Sequence, residues 1–398
     1  MGSEIDLSGE WRFQIDSLEI SVAEKWYANE LNDNIELPGS MPQQSTGDPV
    51  GYDTKFTGNT WKEYEAGKSW VGDDNYKPYL SDEKFRYPFW LISDYYYAGA
   101  AWYQKEVVIQ QEWVGEEIEL LLERCHWETR VWINGEYIQL QNGLGVPHRY
   151  NIGNYLKGGK NIISIRVDNR VKDIDVGVDA HSVTDNTQSN WNGIVGEINL
   201  IRRSPLFIAN VKISPKIDAK VAKVTVELQN KTDRQQSGQL KISASPTNSE
   251  STHEIPELVI PFVCEKGSKS VDVNVEMGDG VMLWDEYNPN LYQLTVQLEG
   301  ENSNDEWKGT FGMRDFRVKE KEFVINGRPV FLRGTLESAI FPKTGFPATD
   351  VESWERIMRI CKEHGLNHIR FHSWCPPKAA FTAADNLGVY LQVEASAW

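Results

Sequence analysis

A chain of 398 residues is long enough for two to three domains of the usual size, roughly 150 residues each, so a single small fold is excluded. Its 58 Asp and Glu against 41 Lys and Arg leave a formal charge of −17; with no basic patch to offset it, nucleic acid is not expected as a partner. Although 40% of the residues are hydrophobic, no stretch approaches the roughly 18 consecutive apolar residues of a membrane-crossing helix, so no membrane partner is expected either.

From Leu7 to about Arg203 the sequence predicts short strands separated by turns, with no long helical period. Ala101 to Ile109, Glu117 to Arg124, Thr129 to Ile133, Glu136 to Leu140 and Asn161 to Asp168 carry β-branched, aromatic and leucine residues in short runs. Asn134-Gly135, between two of them, is a strong hairpin signal, because both positions of that turn need positive φ. Residues 1–203 are therefore expected to form an antiparallel β-sandwich of jelly-roll type. Between Ser40 and Ala100 lies a long polar and aromatic stretch, a candidate binding mouth. The chain holds 15 Trp, 16 Tyr and 14 Phe. Rings set among polar residues, as in Asp94-Tyr95-Tyr96-Tyr97, can stack on sugars, while most are expected to pack cores and loops.

After Arg202-Arg203-Ser204-Pro205 a new strand set begins, at Lys223 to Gln229, Gln239 to Ala244, Lys269 to Glu276 and Leu291 to Gln297. Val224-Thr225-Val226-Glu227-Leu228 and Val271-Asp272-Val273-Asn274-Val275 alternate between a buried and a wet face. Residues 204–317 are thus expected to form a second sandwich, immunoglobulin-like at about 110 residues.

Beyond Glu322 the pattern changes to strand, helix, strand. Val330 to Arg333 is predicted as a short apolar strand. Thr349-Asp350-Val351-Glu352 reads as a capping box, with the Thr hydroxyl and Glu carboxylate on free amides at a helix start. Trp354, Ile357, Met358 and Cys361 recur at helical spacing, and Gly365 can cap the last turn in the left-handed conformation. A strand at His368 to Phe371, a second helix from Pro376-Pro377 to about Leu387 and a strand at Val389 to Val393 follow. Such βαβ units predict a parallel sheet with right-handed crossovers. Residues 318–398 are roughly 80 in number, whereas a closed β/α barrel takes roughly 250, so the expectation is an incomplete barrel start: three strands and two helices.

Cys125, Cys264, Cys361 and Cys375 lack the spacing of a zinc site or a disulfide framework. No magnesium or calcium ligand cluster is visible, and no cofactor is expected. The opening MGSEIDLSGEW lacks a charged start followed by an apolar run, so an export signal is either absent or removed.

Four segments, in order, resemble those of glycoside hydrolase family 2, the β-galactosidase and β-glucuronidase group. They are Trp191-Asn192-Gly193-Ile194-Val195-Gly196, Leu283-Trp284-Asp285-Glu286-Tyr287-Asn288-Pro289-Asn290-Leu291-Tyr292, Phe311-Gly312-Met313-Arg314 and Phe323-Val324-Ile325-Asn326-Gly327-Arg328-Pro329-Val330-Phe331-Leu332-Arg333-Gly334. They span almost the whole chain. Phe341-Pro342, Arg370-Phe371-His372-Ser373-Trp374-Cys375-Pro376-Pro377 and Glu394 resemble a divergent branch of the β-galactosidases. The resemblance implies retaining hydrolysis of a β-glycosidic bond of an oligosaccharide or glycoside, by an acid and a nucleophilic carboxylate about 5 to 5.5 Å apart. In the family both glutamates lie beyond the fourth and seventh barrel strands. Both are therefore expected to be absent from this chain, which should be inactive. The resemblance also suggests the periplasm or the cell exterior.

What remains by this resemblance is part of the wall of the site. Arg370 and Glu394 match family positions near the substrate, or form an internal ion pair filling the barrel. His372 can hydrogen-bond a sugar hydroxyl or a catalytic carboxylate, or be satisfied by a neighbouring carbonyl. Trp374 is either a stacking platform or loop packing. Asp185 falls where the family has an aspartate that reaches the sugar, with Asn186 and Trp191 flanking it; an Asx turn is the alternative. Where β-galactosidases carry a His-Glu pair, this chain has Thr335-Leu336-Glu337-Ser338-Ala339, and their other histidine aligns with Ser373. Galactose and a nearby metal are therefore not implied. Two rival readings are a stand-alone carbohydrate-binding protein and a dimerisation platform, that is, a homo-oligomer.

Overall fold

The computed structural model describes residues 4–51, 54–57, 74–75, 77–79, 91–172, 185, 190–247, 253–301 and 303–395. About half of the expected binding mouth between Ser40 and Ala100 lies outside the described residues, as does Asn186. The first unit contains β1 (Glu4–Asp6), β2 (Gly9–Asp16), β3 (Asp33–Leu37), β4 (Gly39–Ser40), β5 (Asp48–Pro49), β6 (Tyr95–Tyr96), β7 (Ala100–Ile109), β8 (Glu117–Cys125), β9 (Glu128–Ile133), β10 (Glu136–Gln141), β11 (His148–Asn151), β12 (Gly159–Asp168) and β13 (Gly193–Arg203). Two antiparallel sheets, ordered β1-β13-β8-β11 and β10-β9-β12-β7-β2-β3, face each other, with β4 added on β13. Alternation places Leu120 and Leu122 of one sheet and Ile163, Ile165 and Val167 of the other in one core, all at 0% exposure. Asn134 (φ 51°) and Gly135 (φ 86°) make the expected hairpin turn, pairing Ile133 with Glu136.

The second unit is another pair of antiparallel sheets, formed by β14 (Leu206–Lys216), β15 (Val221–Asn230), β16 (Gln236–Pro246), β17 (Leu258–Cys264), β18 (Gly267–Glu276), β19 (Tyr292–Gly300) and β20 (Asn304–Phe311). Their orders are β14-β15-β18 and β17-β16-β19-β20. Ala222, Val224, Val226 and Leu228 alternate inward to meet Leu240, Ile242, Leu294 and Val296 in a separate core.

A small antiparallel sheet follows, β21 (Phe316–Lys319), β22 (Glu322–Ile325) and β23 (Arg328–Val330). This corrects the strand expected at Val330 to Arg333. Asn326 (φ 51°) and Gly327 (φ 81°) turn the chain back, so Arg328–Val330 closes a hairpin instead of starting a parallel sheet. Phe331 is 77% exposed, and the Arg333 amide is taken by Asn367 Oδ1 at 2.8 Å rather than by a neighbouring strand.

The parallel sheet begins four residues after Val330, with β24 (Gly334–Glu337), β25 (His368–Phe371) and β26 (Tyr390–Val393), joined through α1 (Val351–Glu363) and α2 (Lys378–Leu387). The N-cap of α1 is Asp350, not Thr349: its carboxylate accepts the Ser353 amide at 2.7 Å from an extended backbone, the geometry a cap requires. At the other end Gly365 has φ 75°, and Leu366 N donates to Cys361 O at 2.9 Å, closing the helix as expected. Trp354, Met358, Phe371 and Trp374, each 1% exposed or less, pack with the alanines of α2 between helices and sheet. Burial of each large side chain contributes about 2–3 kcal/mol. No described helix is long and apolar enough to cross a membrane, and all four cysteines are free.

Candidate functional site

The three parallel strands finish together, because Glu337, Phe371 and Val393 are in register. Side chains alternate across the sheet, so these three lie on one side and Leu336, Arg370 and Gln392 on the other. Phe371 is fully buried toward the helices, which leaves Leu336, Arg370 and Gln392 on an exposed face.

Glu394, just past β26, collects the polar groups of that edge. Its Oε1 accepts from Arg370 Nε at 2.5 Å and Gln392 Nε2 at 3.2 Å. Its Oε2 accepts the Ser373 amide at 2.9 Å and lies 3.2 Å from His372 Nδ1. The Arg370 guanidinium, followed by the Ser373 amide, holds the Glu394 carboxyl down to about 2, so it is an anion and a poor proton donor at neutral pH. Ser373 is a non-glycine residue at φ 56°, and this left-handed turn aims its amide back at Glu394. Arg370, His372 and Glu394 are thus brought together, and Arg370 and Glu394 form the ion pair that was the alternative to a substrate contact, with Arg370 still 44% exposed at its side chain.

Glu337 closes β24 on the helix-facing side and was not singled out as a site residue from sequence. Both its carboxyl oxygens accept one amide, that of Ala339, at 3.0 Å, and Ala339 is itself left-handed at φ 56°. Burial pushes the Glu337 carboxyl up to about 7, against the opposing effects of the Ala339 amide and Trp374. Its main-chain oxygen accepts His372 N at 2.8 Å and Trp374 Nε1 at 3.3 Å, tying the ends of β24 and β25.

Three of the expected contacts are corrected. Trp374 is 1% exposed, its ring wedged against Phe371 (centroids 5.2 Å) and Trp354 (6.4 Å), so it is core packing and not a stacking platform. Asp185 is 1% exposed and accepts from Thr57 N, Thr57 Oγ1, Tyr96 Oη and Asn190 N. Oδ2 takes three of these donors and Oδ1 one, so the carboxylate is buried within the protein's own hydrogen bonds rather than presented to a sugar. Trp191, 4% exposed, stacks on His126 (5.0 Å) and meets Phe346 (5.7 Å), making it a joint between the first sandwich and the loop after β24. Among the described residues no group of three or more His, Cys, Asp or Glu could hold a metal ion.

Residues 68–204 match the profile of Glycosyl hydrolases family 2, sugar binding domain, and residues 206–314 that of Glycosyl hydrolases family 2. The chain belongs to glycosyl hydrolase family 2. A β-galactosidase of Oenococcus oeni is 23% identical over 398 residues, 98% of this chain and 35% of the relative. One of Leuconostoc mesenteroides is 23% identical over 303 residues, 74% of this chain and 28% of the relative. The chain therefore spans about a third of the length of these curated relatives. Among solved structures, a β-glucuronidase of Bacteroides uniformis superposes with a TM-score of 0.72 at 18% identity, covering 98% of this chain and 42% of the other. A family 2 β-galacturonidase of Eisenbergiella tayi gives 0.70 at 17% identity, covering 100% and 58%. These structures share the fold of this family 2 chain, in which two β-sandwiches precede the edge where Glu394 is held.

Proposed function

We propose that the chain forms the N-terminal part of a retaining β-glycosidase of β-galactosidase type, with residues 318–398 opening its catalytic β/α barrel. The observation that carries this reading is the Arg370–Glu394–His372 cluster at the carboxyl edge of three parallel strands, the edge where barrel enzymes place their chemistry. The family match and the order of the two sandwiches support it.

In this reading Arg370, His372 and Glu394 are wall residues facing an oligosaccharide or glycoside, with Glu394 orienting the two donors. A retaining site needs a protonated acid and a nucleophilic carboxylate about 5 to 5.5 Å apart. Glu394 is held ionised by Arg370, which rules it out as the acid, and both its oxygens are engaged by Arg370, Gln392, the Ser373 amide and His372 rather than free to attack, while Glu337 faces the helices, so neither serves. The acid and the nucleophile belong instead to later strands of the whole enzyme. The test is an assay of aryl β-glycosides with the 398-residue chain and with the longer protein. Turnover is expected only from the longer protein; turnover by the chain itself overturns the assignment.

A further inference from the structure

The turn after β25 is held from within the parallel unit by His372 N on Glu337 O, the Ser373 amide on Glu394 and the packed Trp374 ring. Ser373 is left-handed without being glycine, and the turn must aim the Ser373 amide and the His372 ring at one carboxylate. The last contact that fixes it comes from a different unit. Arg124, near the end of β8 in the first sandwich, donates from Nη2 to Cys375 O at 2.9 Å, and its guanidinium carbon lies 5.8 Å from the centre of the Trp374 ring. The loop before β11 closes on the same place, with Gly145 opposite the Cys375 Cβ. Burial lowers the Arg124 guanidinium to about 10, with the neighbouring Glu123 carboxylate opposing part of that effect. Taking a guanidinium out of water is costly, and the groups that meet Arg124 on the turn are the Cys375 carbonyl and an indole face.

We infer that Arg124 is a positioning residue, holding residues 372–375 in the turn that sets His372 and the Ser373 amide against Glu394. It acts through Trp374 and Cys375 and touches no residue of the Glu394 cluster in any hydrogen bond described above. Only the purpose of the cluster rests on the glycosidase reading; the positioning itself is measurable without substrate. The first sandwich then does more than stand beside the parallel sheet, because it contributes the cation that shapes the site's edge.

The experiment compares the wild-type chain with Arg124→Met and Arg124→Lys in two readouts. Thiol labelling, followed at Cys375 and Cys361 by peptide mass, reports opening of the turn against a reference on α1. The His372 ring proton resonance, assigned with His372→Gln, reports its placement beside Glu394. In Arg124→Met, labelling at Cys375 is expected to rise about tenfold relative to Cys361, with a shifted His372 resonance. Arg124→Lys keeps a donor but not the planar stack and is expected to rise about threefold, and it carries the test if the Met variant does not fold. Equal rises at both cysteines, or no change in either readout, overturn the inference. Loss of turnover by the longer enzyme with both readouts unchanged also overturns it, whereas positive readouts together with no glycosidase activity in the longer protein refute only the proposed function.

Discussion

At Glu337 a carboxyl group enters the protein with a single amide shared between its two oxygens, and that is too little to replace water. Its affinity for a proton therefore rises to about 7, from an ordinary value of 4.5. Because the folded value is the higher one, the stabilisation is complete below pH 4.5 and is lost as pH rises through about 7. Glu337→Gln, neutral at every pH, removes this dependence. Between pH 5 and pH 8 the wild type is expected to lose on the order of 2–3 kcal/mol more than Glu337→Gln in urea unfolding. Parallel losses in the two proteins would show that Glu337 is already ionised. Glu394 has the opposite surroundings, an arginine and an amide, and no such loss near neutrality is expected from it. This contrast explains what the sequence could reveal. Arg370, His372 and Glu394 were legible because strand ends can be counted along the chain. Glu337 would have been found the same way had the first parallel strand been placed at Gly334 and not at Val330. The fates of Trp374, Trp191 and Asp185 were not legible, since each depends on which distant segment covers it.

Strands were read well where alternation or a turn marked them. β15 and β18 follow their valine alternation, and Asn134-Gly135 locates one hairpin. β14, β17 and β20 were not anticipated: Pro215 and Pro261 interrupt the pattern in the first two, and the third shows Asp305, Glu306, Lys308 and Gly309 among few apolar residues. The start of α1 shows a one-residue competition that spacing alone left open. Thr349 and Asp350 both have capping side chains, and the carboxylate one residue nearer the helix takes the Ser353 amide. Asp350→Ala is expected to destabilise the unit by about 1 kcal/mol, and Thr349→Ala by much less, measured by urea unfolding. Equal effects would return the cap to Thr349.

Across the whole molecule, both sandwiches grip the parallel unit. From the first, Ser40 Oγ donates to Thr344 O and Arg124 to Cys375 O at 2.9 Å. From the second, Trp284 Nε1 donates to Asp385 O at 2.8 Å, while Arg314 lies over its ring at 4.9 Å. Lys362 on α1 replies by donating to Glu286 O at 2.9 Å. Trp284→Phe keeps an aromatic ring between Arg314 and Tyr390 but removes the indole donor, leaving a partly buried carbonyl unpaired. A loss of about 1–2 kcal/mol in urea unfolding followed by circular dichroism is expected, and an unchanged midpoint would mean that water replaces the bond.

The direction of these contacts matters for descent. Thr344, Cys375, Asp385 and Glu286 each receive their bond on the peptide oxygen, which every amino acid carries. Thr344, Cys375 and Asp385 can change identity without losing these bonds, whereas Glu286 also accepts Tyr390 Oη on its carboxylate, so the burden of inheritance falls on that side chain and on the donors Ser40, Arg124, Trp284 and Lys362.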